Sequence, residues 1–255
     1  MGSNPSAGPP PVLARAPAIV VSCEHAGREI PEAFSDVFTV PEPILDSHRG
    51  IDFGSLDYGK ALGSALGVEP IVQPVTRLLV DTNRSADHPE RLSEFSRAMP
   101  VDRQREAIEL FWKPHRDRVL AAAEAPIAEG RPVLHFAAHS FTPVFHGVVR
   151  DVDVGLLFDP ARPRERAFAE RLQHALQSRR PDLRTRWNEP YLGTSDCIAL
   201  VLRERYPDDL YAGIELEISQ AFAQDHSDAG RAFWTTLQAD FTAAVLTSLG
   251  RESEA

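Results

Sequence analysis

The sequence predicts a three-layer α/β sandwich built on a mixed, largely parallel sheet, and three observations carry that expectation. Short apolar runs bounded by turn residues alternate with segments of helical period, the order that lays helices over a parallel sheet. Neither an internal repeat nor a long linker divides the 255 residues, so one domain over 18–250 is expected. Residues able to do chemistry gather where the apolar runs end, and open α/β sheets hold their ligands outside the carboxyl ends of the strands.

The segment 1–17 (MGSNPSAGPPPVLARAP) is rich in Gly, Pro and Ser and reads as a disordered tail. The run AIVVSCEHAG at 18–27 reads as a buried first strand that ends at Glu24 and His25. Residues 28–43 hold Pro31, Pro41 and Pro43 and read as an irregular loop. Phe53, Leu56, Leu62, Ala65 and Leu66 recur on a helical period, predicting a helix over 51–66 stopped by Gly67. Two short strands are expected at 71–75 and 78–80, closing on Asp81-Thr82-Asn83-Arg84. A helix is expected over 107–123. Next come a strand at 133–137 leading into His139-Ser140, a short strand at 155–158, and an amphipathic helix at 164–177. Asn188-Glu189-Pro190-Tyr191 reads as a loop, 211–219 (YAGIELEIS) as the last strand, and 232–249 as the closing helix.

Composition narrows the function. With 43% hydrophobic and 25% charged residues the chain is of the globular class. No apolar run reaches membrane-spanning length and no basic-then-apolar leader opens it, so neither a membrane helix nor a signal peptide is expected. Two cysteines, Cys23 and Cys197, make no disulfide framework, and a cytoplasmic location follows as the simpler expectation. A net charge of −10 argues against nucleic acid as a partner, because tracking phosphates needs a positive field. A small acidic substrate needs only one or two local arginines. No G-x-G-x-x-G, P-loop or G-x-S-x-G is present, which removes nucleotide cofactors and a Ser140-centred triad from consideration. Oligomeric state is not written in the sequence.

Several residue groups carry the chemistry. Glu24 and His25 leave the first strand together, a pair that either caps the strand end or binds a ligand. His48 and Asp52 are four apart, a spacing suited to one helical face and equally to capping or ligation. Asn83 and Arg84 join a neutral donor to a planar fork that matches a carboxylate, and Arg77 offers a second fork. His139 is the second imidazole at a strand end, and two His with one carboxylate form a recurrent catalytic zinc shell. Glu215 and Glu217 are two apart, so a strand turns both to one face while Ile214, Leu216 and Ile218 take the other. Two glutamates on a buried strand are expensive unless they meet a cation, donors or water, and one of them could serve as a general base.

Taken in order, SCEHAG, HRGID, TRLLVDTNR, HSFTP, NEPY and IELEIS resemble the N-formylglutamate amidohydrolase family, from about Ile19 to Gln220. The resemblance implies a zinc-carboxypeptidase-like fold and metal-assisted hydrolysis of an acidic N-acyl amino acid such as N-formylglutamate. It implies that His25 and His139 bind the metal, that Asn83 and Arg84 hold the substrate carboxylate, and that Glu217 is the catalytic glutamate, with Glu215 beside it. Arg77, Ser140 and Tyr191 complete the candidate substrate contacts. Two positions depart from the superfamily pattern. Arg28 stands where a ligating Glu is expected, three residues after His25, so the carboxylate ligand comes from elsewhere, with Asp52 favoured and Glu24 the alternative; His48 is a further candidate metal ligand. Ser219 stands where an Arg would follow Glu217, which leaves the acyl-amino-acid preference open. The ligand set accepts Zn²⁺ or another divalent transition metal. The competing readings are a catalytically silent binding module for an acidic metabolite and a hydrolase of a different amide or peptide bond on the same fold.

Overall fold

The computed structural model describes residues 16–251, so all but the last two residues of the expected tail lie outside the described residues. Among the described residues there are eight strands: β1 (Ala18–Cys23), β2 (Ile71–Val72), β3 (Val133–Phe141), β4 (Val144–Phe145), β5 (Val148–Val149), β6 (Val154–Leu157), β7 (Thr185–Trp187) and β8 (Tyr211–Ser219). Six form one sheet in the order β2-β1-β3-β8-β6-β7, parallel except where β6 runs antiparallel to β8, while β4 and β5 make a separate hairpin. The central strands β3 and β8 are buried along their whole length, as expected of strands covered on both faces.

The helices in chain order are α1 (Glu42–Leu45), α2 (Ser55–Leu66), α3 (Glu94–Arg97), α4 (Val101–Ala107), α5 (Lys113–Ala128), α6 (Pro163–Arg179), α7 (Ile198–Arg205), α8 (Gln220–Ala223) and α9 (Asp228–Ser248). One face of the sheet, including Val21, Phe136, Ile214 and Leu216, packs on Tyr58 and Leu62 of α2, Phe168 and Leu172 of α6, and Leu237 and Phe241 of α9. The other face, including Val20, Val133 and Tyr211, packs on Ala123 and Ile127 of α5 and Leu202 of α7. Helices on both faces confirm the three layers. No helix among the described residues is long and apolar enough to cross a membrane.

Five elements differ from expectation. Helix α2 begins at Ser55 rather than Ile51, because Gly54 takes a left-handed φ of 81° just before it; His48 and Asp52 therefore share no helical face. Residues 78–80 form no strand. They turn, and the carbonyls of Leu78 and Leu79 accept from Ser96 Oγ instead of from a ladder. Strand β3 runs through to Phe141, which places His139 and Ser140 inside the strand, where their side chains have fixed directions. The expected helix at 107–123 is the middle of one continuous rod: α4 and α5 are joined by a π-helical stretch, Ile108–Trp112. Pro114 follows that stretch, and it can neither donate to the carbonyl four residues back nor let its ring pass that turn, so the helix widens. Helix α7 was not anticipated.

One glycine is required for the sheet to approach a loop. A Cβ at Gly155 of β6 would stand 2.1 Å from the Glu189 carbonyl oxygen and 3.1 Å from Glu217 Cβ. Backbone cannot give way there, so Gly155→Ala is expected to cost about 1–3 kcal/mol, read as a fall of several degrees in Tm; an unchanged Tm would show the loop to be free of the strand.

Candidate active site

Register brings the chemistry together. His139 of β3 lies opposite Glu217 of β8, and Ala137 opposite Glu215, so both glutamates and His139 share one face near the carboxyl end of the parallel strands. Tyr58 of α2 pins this junction: its hydroxyl is 2.7 Å from the His139 carbonyl and 2.5 Å from that of Leu216. Beyond Cys23 the chain places His25 next to His139, ring centroids 5.0 Å apart. The backbone N–H of Asp52 donates to the His25 carbonyl at 3.1 Å, which docks the irregular segment before α2 onto the end of β1.

The two imidazoles present equivalent atoms to one carboxylate. Asp52 Oδ2 stands 3.3 Å from His25 Nδ1 and 3.0 Å from His139 Nδ1, and all three residues are buried. Each ring is backed by another acid on its far nitrogen: His25 Nε2 lies 2.7 Å from Asp81 Oδ1, and His139 Nε2 lies 3.2 Å from Glu24 Oε2. An ionised carboxylate only accepts, so Asp81 holds the hydrogen on Nε2 of His25 and leaves its Nδ1 as the ligating atom; Nε2 of His139 also lies 3.4 Å from Asn83 Nδ2. Arg77 reaches Asp81 at 2.7 Å and Asp52 at 3.4 Å, tying the outer acid to the inner one.

The electrostatics favour a cation. Burial opposes charge on His139, yet hydrogen bonds to Asp52 and Glu24 carry its pKa well above the usual imidazole value. Burial would raise Asp52, but the neighbouring His25 and His139 hold its carboxyl well below the usual range; Asp81 is held down likewise, by Arg77 and His25. Glu217 goes the other way, pushed up to about 8 by burial together with Asp52 and Glu215, against the pull of His139. Glu217 Oε2 and Ser140 Oγ are buried without a hydrogen-bond partner among the described residues. Tetrahedral coordination at about 2.0–2.1 Å sets ligand atoms roughly 3.4 Å apart, close to both Asp52 spacings, so His25 Nδ1, His139 Nδ1 and Asp52 Oδ2 fit a small divalent ion.

These residues floor a cleft of about 460 Å³. Asn83, Arg84, Arg77, Ser140, Tyr191, His48, Glu215 and Glu217 all line it. Asn83 Oδ1 accepts from the Ile198 N–H at the start of α7 at 2.9 Å, and Arg84 donates to the Asp196 carbonyl at 2.9 Å. Two expected metal ligands sit elsewhere. Glu24 faces Nε2 of His139 and, at 3.5 Å, His115, behind the ring rather than beside Nδ1. His48 lies in the turn ahead of α2, edge-on to Phe145 with centroids 6.1 Å apart. Sequence reasoning missed the place of Asp81, which it named only as the start of the stretch that closes the expected strands at 71–80. It also missed Arg116 and Trp112, whose side chains donate to the Arg84 carbonyl at 3.1 and 2.9 Å; nothing local in the sequence signals that contact.

The family model for N-formylglutamate amidohydrolase matches residues 17–223. The chain belongs to the N-formylglutamate amidohydrolase family. Two crystal structures share the fold. A gene product of Agrobacterium tumefaciens is 24% identical, with 92% of each chain covered and a TM-score of 0.70. The N-formylglutamate amidohydrolase of Ralstonia eutropha is 18% identical, with 93% of this chain and 94% of that one covered and a TM-score of 0.67. No curated protein matches the chain. Membership in the N-formylglutamate amidohydrolase family supports an amidohydrolase.

The backing acids yield a direct expectation. Glu24→Gln keeps the shape but not the charge behind His139, and loss of such a partner costs about 10–100-fold in metal affinity. Competition against a chromophoric chelator reads the change, and unchanged affinity would separate Glu24 from the metal site.

Proposed function

We propose that this protein is a metal-dependent hydrolase that cleaves the amide bond of an acidic N-acyl amino acid, with N-formylglutamate as the reference substrate. One observation carries the reading: two buried Nδ1 atoms face one carboxylate, each ring held from behind by an acid, with Glu217 on the adjoining strand. His25, His139 and Asp52 would hold the ion. A divalent ion bound there supplies Lewis acidity, acidifying a water and polarising the amide carbonyl.

The chain's own groups do the rest. Glu217, unpartnered at Oε2 and facing the cleft, takes a proton from the attacking water and returns it to the leaving amine. Burial and the neighbouring carboxylates raise its pKa above the usual glutamate range, which makes it a stronger proton acceptor than a solvated carboxylate. Glu215 supports this by adding like charge beside it. Arg84 and Asn83 receive the substrate carboxylate, and Ser140 Oγ is free to meet a substrate oxygen. Arg77, engaged with Asp52 and Asp81, is a positioning residue for the ligand set. Tyr191 closes the mouth of the cleft.

The test is release of free amine from N-formyl-L-glutamate and related N-acyl amino acids by purified protein, with and without chelator. The expected result is one bound divalent metal per chain and turnover that is lost on chelation and restored by metal. Protein without bound metal, or turnover indifferent to chelator, would overturn the proposal.

A further inference from the structure

The mouth of the cleft is built for something apolar. Past His139 and Ser140, β3 ends at Phe141 and the chain turns through the β4–β5 hairpin, returning at Arg150. The guanidinium of Arg150 sits 4.7 Å from the centroid of Phe145, 4.8 Å from that of Tyr191 and 5.8 Å from that of Phe141. It also donates to the Thr142 carbonyl and the Tyr191 hydroxyl, each at 3.1 Å. One cation thus gathers three aromatic rings from two separate segments into a contiguous wall.

All three rings line the cleft, joined by Leu192 and Leu157. Phe141 and Leu157 are buried, but Phe145 is 39% exposed, Tyr191 42% and Leu192 61%. Large apolar side chains grouped at the entrance of a polar, acid-lined site mark a surface that an apolar group covers. An N-formyl group cannot be that group, since it bears only a hydrogen on its carbonyl carbon and has no alkyl or aryl carbon to lay against a ring. The glutamate side chain offers two methylenes ending in a charge.

We infer that this cleft selects N-acyl amino acids carrying a bulky apolar substituent, seated against Phe145, Tyr191 and Leu192, over N-formylglutamate. This inference rests on the hydrolase reading above. The substituent comes from one of two sources, the acyl group or the amino-acid side chain, and the same wall chemistry recognises either.

The experiment compares kcat/KM in two arms. One arm holds glutamate constant and varies the acyl group (formyl, acetyl, isovaleryl, benzoyl). The other holds formyl constant and varies the amino acid (Glu, Leu, Phe). Burying a methylene is worth roughly fourfold, so an apolar group of four or more carbons in the favoured arm is expected to exceed N-formylglutamate by at least tenfold. Phe145→Ala, at an exposed position of the β4–β5 hairpin, is expected to bring that ratio back toward one. N-formylglutamate ranking first in both arms, or a ratio unmoved by Phe145→Ala, would overturn the inference. If no compound is hydrolysed, the hydrolase reading fails separately, and calorimetric titration with the same compounds still decides. Tenfold tighter binding of the apolar compound, lost in Phe145→Ala, sustains the inference, and equal binding ends it.

Discussion

Glu217→Gln lowers kcat by about 10²–10⁴-fold, the range a positioned general base contributes, while the bound metal stays. The argument is geometric before it is electrostatic. Glu217 faces His139 across the β3–β8 ladder, lines the cleft, and has an oxygen that no donor in the described protein satisfies. A group placed so close to the ligand set, yet outside it, is suited to move protons rather than to ligate. Gln has the same shape and cannot accept a proton, so the loss falls on kcat with KM little changed. Metal analysis and steady-state kinetics on the same preparation test both halves. Near-normal turnover would move the base elsewhere, with Glu215 the next group to examine.

Asp52→Asn has the second large effect, loss of the metal itself. Asp52 Oδ2 is the atom both Nδ1 groups face, and it also accepts from the Ser140 N–H at 3.4 Å. Asn fits the space but removes the one charge at the centre of the ligand set. Affinity is expected to fall by more than the ~10–100-fold that removing an outer acid costs, and activity to fall with it. The variant should still fold, since its backbone anchor to His25 is a main-chain bond. Dialysis followed by metal analysis, with circular dichroism as the fold control, checks this. Stoichiometric metal in folded Asp52→Asn would remove Asp52 from the site and return Glu24 to it.

How much of this was legible differs from residue to residue. The period-2 pattern of YAGIELEIS foretold that Glu215 and Glu217 share a face, and β8 occupies the expected range, 211–219. His25 and His139 were readable because each closes an apolar run. Their meeting was readable only through six motifs taken together, not from either run alone. The helical face expected to join His48 and Asp52 did not form, because residues before α2 follow no period, although Asp52 does meet both imidazoles. A spacing of four carries directional information only inside a helix.

The sequence by itself determined the layered α/β architecture, the strands that bear the site, and the residue types available at their ends. Periodicity and turn chemistry are local, and they survive in a one-dimensional string. The tertiary structure alone decided which nitrogen of each imidazole faces inward, that Asp81 and Glu24 stand behind the rings, and that Arg150 draws three aromatic residues into one wall. Those outcomes depend on side-chain directions across elements as far apart in the chain as 25 and 139, and only the packed fold fixes them.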